Sequence, residues 1–315
     1  MRPLISAVLC TYNRRDLLDS ILQDLCHQTL APESYEIVVV DNNSSDGTKA
    51  VVAEHMRSQP NLKYCFEPAQ GIAHARNRGV QEAQGIYIAY ADDDCRVPPD
   101  WLKIAKHIID DLAPAVFGGP YFAIYNIPKP NWFKDDYGSY HLGDNARRIA
   151  AHEYLHAGNL FIQKAILAKL GGFNPELGHR GQKLWYGEEV ALVRQIRATL
   201  PEAVIYYDPA LKVQHLVAPQ KLNLRWHVKQ RFVDGRSWLI TFDEIRPKHI
   251  ILLHLPLLAG LMLARSGLIA WAMTGGMLCR DRQKYPHWQN YVYEKVLKHV
   301  GGIGLIYEKV HSLLV

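Results

Sequence analysis

Neither of the two common phosphate cradles is present. Cys10–Thr11–Tyr12–Asn13–Arg14–Arg15 occupies the turn after the first strand-like stretch, where a dinucleotide-binding fold would place GxGxxG. No GxxxxGK[ST] occurs anywhere in the 315 residues, so a nucleotide held by this chain is held by other means. Cysteine is scarce: Cys10, Cys26, Cys65, Cys95 and Cys279 are scattered, odd in number and without a CxxC spacing. This argues against a disulfide framework and a zinc site, and a reducing compartment is expected. No run of Lys and Arg is dense enough for nucleic acid, and no nucleic-acid partner is expected. No signal-peptide pattern precedes the strand-like Leu4–Cys10, and there is no internal repeat or low-complexity tract.

What remains is the composition of a globular enzyme. Hydrophobic residues make up 48% and charged residues 21%, and the formal charge is +5. Mild basicity suits anionic ligands or an anionic membrane surface. The first half alternates strand and helix patterns. Strands are expected at Leu4–Cys10, Glu36–Val40, Leu62–Phe66 and Ile86–Ala91, and helices at Arg14–Cys26, Thr48–Met56, His74–Ala83 and Asp100–Asp111. That order predicts an α/β fold with a mostly parallel sheet and helices on both faces. Ala115–Tyr125 holds strand patterns broken at Gly118–Gly119–Pro120, and Asn126–Arg147 reads as a long functional loop. Glu188–Ala198 reads as a helix, and Val204–Tyr207 and Leu211–Gln214 as short strands.

The most informative stretch is Ile86–Ala91 followed by Asp92–Asp93–Asp94. The carboxylates stand at the carboxyl end of a buried strand, where open α/β sheets bind ligands. Three adjacent anions repel and resist burial, so a positive partner is expected. A hard divalent cation is the economical one, and a solvated turn before Pro98–Pro99 is the alternative. Thr11 and Asn13 can hydrogen-bond a base or ribose, or cap the next helix. Asp41, ending the second strand, can accept from a nucleobase N–H or a ribose hydroxyl, or close an Asx-turn. Arg76, on the helix after Gly71, can pair with phosphate or contact the base, or lie on a solvated face.

In order, these motifs resemble the family 2 glycosyltransferases of the GT-A fold. Thr11–Tyr12–Asn13–Arg14, Asp41 with Ser44–Asp46–Gly47, Ala75–Arg76–Asn77, Asp92–Asp93–Asp94 and Pro99–Asp100–Trp101–Leu102 carry the first part. Ala157–Gly158–Asn159–Leu160–Phe161, Leu170–Gly171–Gly172–Phe173 and Gly187–Glu188–Glu189–Val190–Ala191–Leu192 carry the rest. The resemblance implies a glycosyltransferase domain over residues 1–220; the rest, 221–315, lies outside the shared core and is read from its own apolar pattern as a membrane-associated C-terminal helical region. The resemblance also implies inverting, metal-dependent transfer of a sugar from a nucleotide-diphosphate-sugar to a saccharide or polyprenyl-linked acceptor, in cell-surface or extracellular polysaccharide synthesis. Asp41 with Arg76 leans toward a UDP-linked donor. Mg²⁺ or Mn²⁺ would bridge the phosphates from Asp92 and Asp94, with His215 completing the shell and Asp93 facing the ribose. Thr11, Asn13, Asp41 and Arg76 would hold the nucleotide. The base is expected in the acidic pair: Glu189 stands where the family carries Asp, with Glu188 in reserve. Both acids also favour a helix N-terminus through its dipole. Trp185 and Asn159 are expected at the acceptor, and His179–Arg180–Gly181 in a lid.

The last third changes character. Ile250–Ala264 and Gly267–Cys279 are apolar stretches separated by Arg265–Ser266, each shorter than the roughly 20 residues that cross a bilayer. Basic residues flank both ends, which predicts a hairpin dipping into one leaflet, with a tilted spanning helix or a buried helical pair as alternatives. The expected location is cytoplasmic, on the cytoplasmic face of the cell membrane. Two other functions stay open. A nucleotidyltransferase making a nucleotide-sugar usually needs a glycine-rich, basic loop after the first strand. A non-catalytic nucleotide-sugar-binding scaffold, anchored by the apolar tail, would bind nucleotide without turnover.

Overall fold

The computed structural model describes residues 2–179, 185–241 and 255–314. It divides into two compact units. Unit 1 comprises Met1–Ile124, Asp135–Gly181 and Glu188–Leu216; unit 2 comprises Tyr125–Lys134, Gln182–Gly187 and Val217–Val315.

In unit 1, strands β1 (Ile5–Thr11), β2 (Tyr35–Asp41), β3 (Leu62–Phe66) and β4 (Tyr87–Asp92) alternate with helices α1 (Arg15–Cys26), α2 (Thr48–Met56), α3 (Ile72–Glu82) and α4 (Trp101–Leu112). Strands covered on both faces are apolar nearly throughout. Alternate residues divide between the two faces. Ile5, Ala7 and Leu9 pack with Leu18, Ile21 and Leu22 of α1 and Trp101 of α4. Val8, Val38 and Val40 pack beneath Ala73 and Ala75 of α3. The four strands pair in parallel in the order β3-β2-β1-β4. The register sets Thr11 beside Asp41 and Cys10 beside Asp92, so the polar strand ends line one edge.

Beyond β4 the sheet, mostly parallel as expected, also takes in antiparallel neighbours. Strand β9 (Leu160–Gln163), which no sequence signal announced, inserts antiparallel between β4 and β6 (Val116–Gly118). Strand β10 (Ile205–Tyr207) runs parallel to β6, and β8 (Arg147–Arg148) closes the edge antiparallel. The sheet is therefore mixed, with its parallel half N-terminal. Helices α5 (Lys164–Leu170) and α6 (Glu188–Thr199) cover the same face as α3. A second sheet joins β5 (Cys95–Arg96), β11 (Val213–Leu216) and β7 (Tyr121–Ile124). The strand expected at Leu211–Gln214 is thus shifted toward the C-terminus.

Unit 2 is helical: α7 (Leu224–Thr241), α8 (Leu255–Trp271), α9 (Trp288–Tyr291) and α10 (Leu297–Leu314). A π-turn at Ala272–Gly276 extends α8, and another at Val292–Val296 joins α9 to α10. The expected hairpin is not formed: α8 runs through Arg265–Ser266 without a turn. Neither residue breaks a helix, and the Arg265 guanidinium rests against Gly302 of α10. Residues 250–254 lie outside the described residues. Among the described residues, Leu255–Gly276 is the one helix long and apolar enough to cross a membrane, by length and composition.

Candidate active site

The ends of β1 and β4 meet in a buried network. Thr11 Oγ1 donates to Asp93 Oδ2 at 2.9 Å, and Arg14 Nη1 donates to Asp93 Oδ1 at 2.8 Å and Asp94 Oδ2 at 3.1 Å. Arg14 is thus a positive partner of the acidic run, which sequence reasoning did not single out. Burial pushes the Asp93 carboxyl up to about 6 against the pull of Arg14, with the Asp94 charge adding to the rise. Asp93, expected to face a ribose, is turned inward instead. Asn13 is bent to φ +52°, and its Oδ1 accepts from the Ser45 N–H at 2.7 Å. Asp41 Oδ1 accepts from the Ser44 N–H at 2.8 Å, closing the turn, and Oδ2 accepts from the Tyr64 hydroxyl at 2.9 Å.

Arg76 is buried, and its partners are not those expected. Nη1 donates to Glu188 Oε1 at 2.6 Å, and Nη2 lies 3.6 Å from Asp92 Oδ1. The guanidinium also sits 5.4 Å from the Phe173 ring centre and 5.9 Å from that of Tyr90. It joins the acidic strand end to the acidic pair of α6 rather than presenting itself to a phosphate. Asp92 keeps 37% of its side chain exposed, the most open of the three acids.

His215 lies opposite Cys95 in the β5–β11 pairing, and its Nε2 is 3.2 Å from Asp94 Oδ1. Ligand atoms of Asp94, Cys95 and His215 lie within 4.8 Å of one another. Carboxylate and imidazole donors fit Mg²⁺ or Mn²⁺. Burial drives the Cys95 thiol upward, with the Asp92 and Asp94 charges adding, so it keeps its proton and is a poor donor to a hard ion. Of the expected metal ligands, the fold brings Asp94 and His215 together and turns Asp92 toward Arg76.

Glu188 is buried, and Gly178, at φ +82°, packs against its carboxylate, where a Cβ would run into the Ile72 side chain. Burial pushes the Glu188 carboxyl up, the Glu189 charge adds to this, and Arg76 opposes it. Burial also acts on Glu189, but His156 and Arg76 outweigh it and hold that carboxyl below its usual range. His156 Nδ1 is 3.6 Å from Glu189 Oε1. His156 was missed in the sequence, where its one signal is its place just before Ala157–Gly158–Asn159. The Tyr121 ring lies 5.7 Å from that of His156 and 5.2 Å from that of His215. One aromatic ring therefore bridges the neighbours of Glu189 and of Asp94. An ionised carboxylate able to take a proton stands on one side of it, and a pair able to hold a cation on the other.

The expected acceptor contacts fare differently. Asn159 is 1% exposed: its Oδ1 accepts from Trp101 Nε1 at 3.0 Å, and its Nδ2 donates to the carbonyls of Pro120 and Leu211. Every polar atom of its amide is used inside the fold, so it does not face an acceptor. Trp185 belongs to unit 2, where the Arg236 guanidinium covers its ring at 5.1 Å. The His179 carbonyl accepts from the Ile72 N–H, and Arg180 and Gly181 lie outside the described residues.

Comparison with known proteins follows the same lines. The family model Glycosyl transferase family 2 matches residues 6–170. The chain is similar to Glycosyltransferase AglE of Haloferax volcanii, 27% identical over 184 residues, 58% of this chain and 60% of that protein. It is also similar to the glucosyl-dolichyl phosphate glucuronosyltransferase of the same organism, 23% identical over 240 residues, 74% of this chain and 75% of that protein. Among solved structures it resembles the mannosyltransferase PcManGT from Pyrobaculum calidifontis in complex with GDP-Man and Mn²⁺. The TM-score is 0.67 at 18% identity, covering 99% of this chain and 88% of the other, a likeness of fold.

Proposed function

The chain belongs to glycosyl transferase family 2, and we propose that it moves a sugar from a nucleoside-diphosphate-sugar to a hydroxyl of a saccharide or lipid-linked acceptor, with inversion at the anomeric carbon. The observation that carries this reading is the bridge at Tyr121, with Glu189 and His156 on one side and Asp94 and His215 on the other. Glu189, ionised at neutral pH, takes the acceptor proton as the acceptor oxygen attacks and the bond from sugar to diphosphate breaks. A positioned carboxylate base contributes roughly 10²- to 10⁴-fold. Glu188 holds Arg76 and is the base's fixed neighbour.

Asp94 and His215 would hold Mg²⁺ or Mn²⁺, with Asp92 at hand beside them. When bound, the ion stabilises negative charge on the departing diphosphate. We place the nucleoside at the sheet edge formed by Thr11, Asn13 and Asp41. Because Glu188 engages Arg76, only Asp41 leans toward uridine. The relative named for a dolichyl phosphate-linked substrate supports a lipid-linked acceptor. The apolar helix of unit 2 supports a membrane surface as the workplace, on its cytoplasmic side. We take residues 1–220 as the transferase domain and 221–315 as its membrane-associated region.

The test is release of nucleoside diphosphate from a panel of UDP-, GDP- and dTDP-sugars with Mn²⁺, alongside Asp94→Ala and Glu189→Gln. Slow release from one donor, lost in Asp94→Ala, is expected. If no donor is turned over or bound with Mn²⁺ present, the proposal fails.

A further inference from the structure

The helices of unit 2 bear on the membrane association proposed above, on which this inference rests, independently of the chemistry. The inward positions of α8 and its extension are Leu258, Met262, Arg265, Ile269, Ala272 and Gly276, spaced four and three residues apart alternately. They form one narrow seam. The rest of the surface is apolar and open: Leu263 is 74% exposed, Trp271 63% and Leu278 78%. Within Leu255–Gly276 only 11% of the 18-residue apolar window is buried, which sets it apart from the core helix of a soluble protein.

The seam lies along a neighbouring helix. Gly276 fits under the Tyr291 hydroxyl, Ala272 packs with Val292 and Val296, and Arg265 lies on Gly302. The contacts advance along one helix as they retreat along the other, so the two are antiparallel. The far side of α10 is closed against α7, where Gly235 meets the Gly301 carbonyl and Gly304 meets that of Phe232. Helix α10 therefore lies between α8 and α7. These two helices carry Arg231, Asp234, Lys298 and the Arg236–Glu308 ion pair, closed at 2.6 Å.

This layering decides how α8 meets lipid. Its 22 residues measure about 33 Å at 1.5 Å per residue, enough to span the roughly 30 Å hydrocarbon core. Standing upright, however, it would draw α10 and α7 into hydrocarbon. Charged side chains there are costly to place in hydrocarbon. Lying flat, α8 sinks by its own outer face, and the charges beneath stay in water. Just past the span, Arg280, Arg282 and Lys284 face one acid, Asp281, leaving a basic rim suited to anionic headgroups. Each such cation adds attraction to an anionic surface.

We propose that α8 lies in the plane of an anionic membrane surface, its exposed ridge sunk in one leaflet, and does not cross the bilayer. Two measurements on the full chain test this. The first uses a membrane-impermeant maleimide on sealed, inverted membrane vesicles. Exposed Cys279 reports the side of the helix end, and Ser58→Cys in a Cys279→Ser background reports the side of unit 1. Labelling of both sites from outside, unchanged by detergent, is expected. If one site becomes reactive only after detergent, the helix spans and the proposal is overturned.

The second is flotation of purified protein with vesicles of equal parts phosphatidylcholine and phosphatidylglycerol, with brominated lipid to quench Trp271. Strong quenching is expected, with at least about tenfold weaker binding in Leu263→Asp/Leu268→Asp, since 1.4 kcal/mol is one decade. Both leucines are exposed, so the variant keeps its fold, and wild-type quenching stands without it. Absence of quenching, or cross-linking of two copies through position 263 in place of flotation, overturns the proposal.

Discussion

Arg76 donates to Glu188 at 2.6 Å across 112 residues of sequence. The same guanidinium reaches Asp92 at 3.6 Å, so a single buried cation ties the strand-end acids to the acidic pair. Removing one partner of such a pair strands the other charge in the interior. Arg76→Ala should therefore destabilise the fold by about 3–5 kcal/mol, read by urea unfolding. Arg76→Ala/Glu188→Gln should recover much of that loss. A stable Arg76→Ala that has lost only donor affinity would return this residue to the nucleotide.

Glu189 and Glu188 should separate in kinetics. Glu189→Gln is expected to lower kcat by roughly 10²- to 10⁴-fold while leaving donor affinity and thermal stability near wild type. Glu188→Gln should act mainly on stability through Arg76. Steady-state kinetics with a defined acceptor would distinguish them, and the reverse pattern would make Glu188 the base.

Asn159 should behave as a buried tie. Asn159→Ala takes the hydrogen-bond partner from the Trp101 indole N–H and from the Leu211 carbonyl, while the Pro120 carbonyl keeps the Val213 N–H. A loss of about 2–3 kcal/mol is expected, with the acceptor KM little changed in the folded fraction. A stable variant with a raised acceptor KM would restore the acceptor role read from the sequence.

His227 gives unit 2 a pH dependence. Its ring sits among Trp132, Phe133, Trp226 and Tyr293, and its Nε2 is 2.6 Å from the Lys221 carbonyl. Burial holds the imidazole down to about 4, whereas it titrates at 6.5 when free. Between those values the unfolded chain binds more protons than the folded one. The stability due to the neutral ring is complete above about pH 6.5 and is lost as pH falls through 4, by up to about 3 kcal/mol. His227→Gln should flatten that acid limb in unfolding experiments from pH 7 to pH 4. An unchanged slope would show that the ring is already charged.

The alternation of strands and helices in the parallel half can be read from the chain because each strand is apolar throughout and each turn has its own polar or proline signal. Strand β9 offers no such signal. Leu160–Gln163 is four residues long, and its antiparallel course is imposed by β4 and β6, which are distant in sequence. The same limit applies at the site. The spacing of Asp92–Asp93–Asp94 marks a candidate site at the strand end, but only the fold shows that the middle acid turns in to meet Thr11 and Arg14. The role of Arg76 could not be read locally, because its partner is on α6. At Arg265–Ser266, a charged residue in an apolar run suggested a bend, yet the charge is accommodated on Gly302, a contact the run itself does not encode.

The open ridge of α8 changes the units in which this protein is to be measured. On the proposed membrane seat the exposed Leu263, Trp271 and Leu278 would be held in lipid, so that enzyme and any lipid-linked acceptor would share a surface and meet by lateral diffusion. The relevant acceptor concentration is then a mole fraction in the leaflet rather than a molarity in the tube. Diluting the reaction at constant lipid composition should leave the turnover of bound enzyme unchanged, whereas adding inert lipid should slow it.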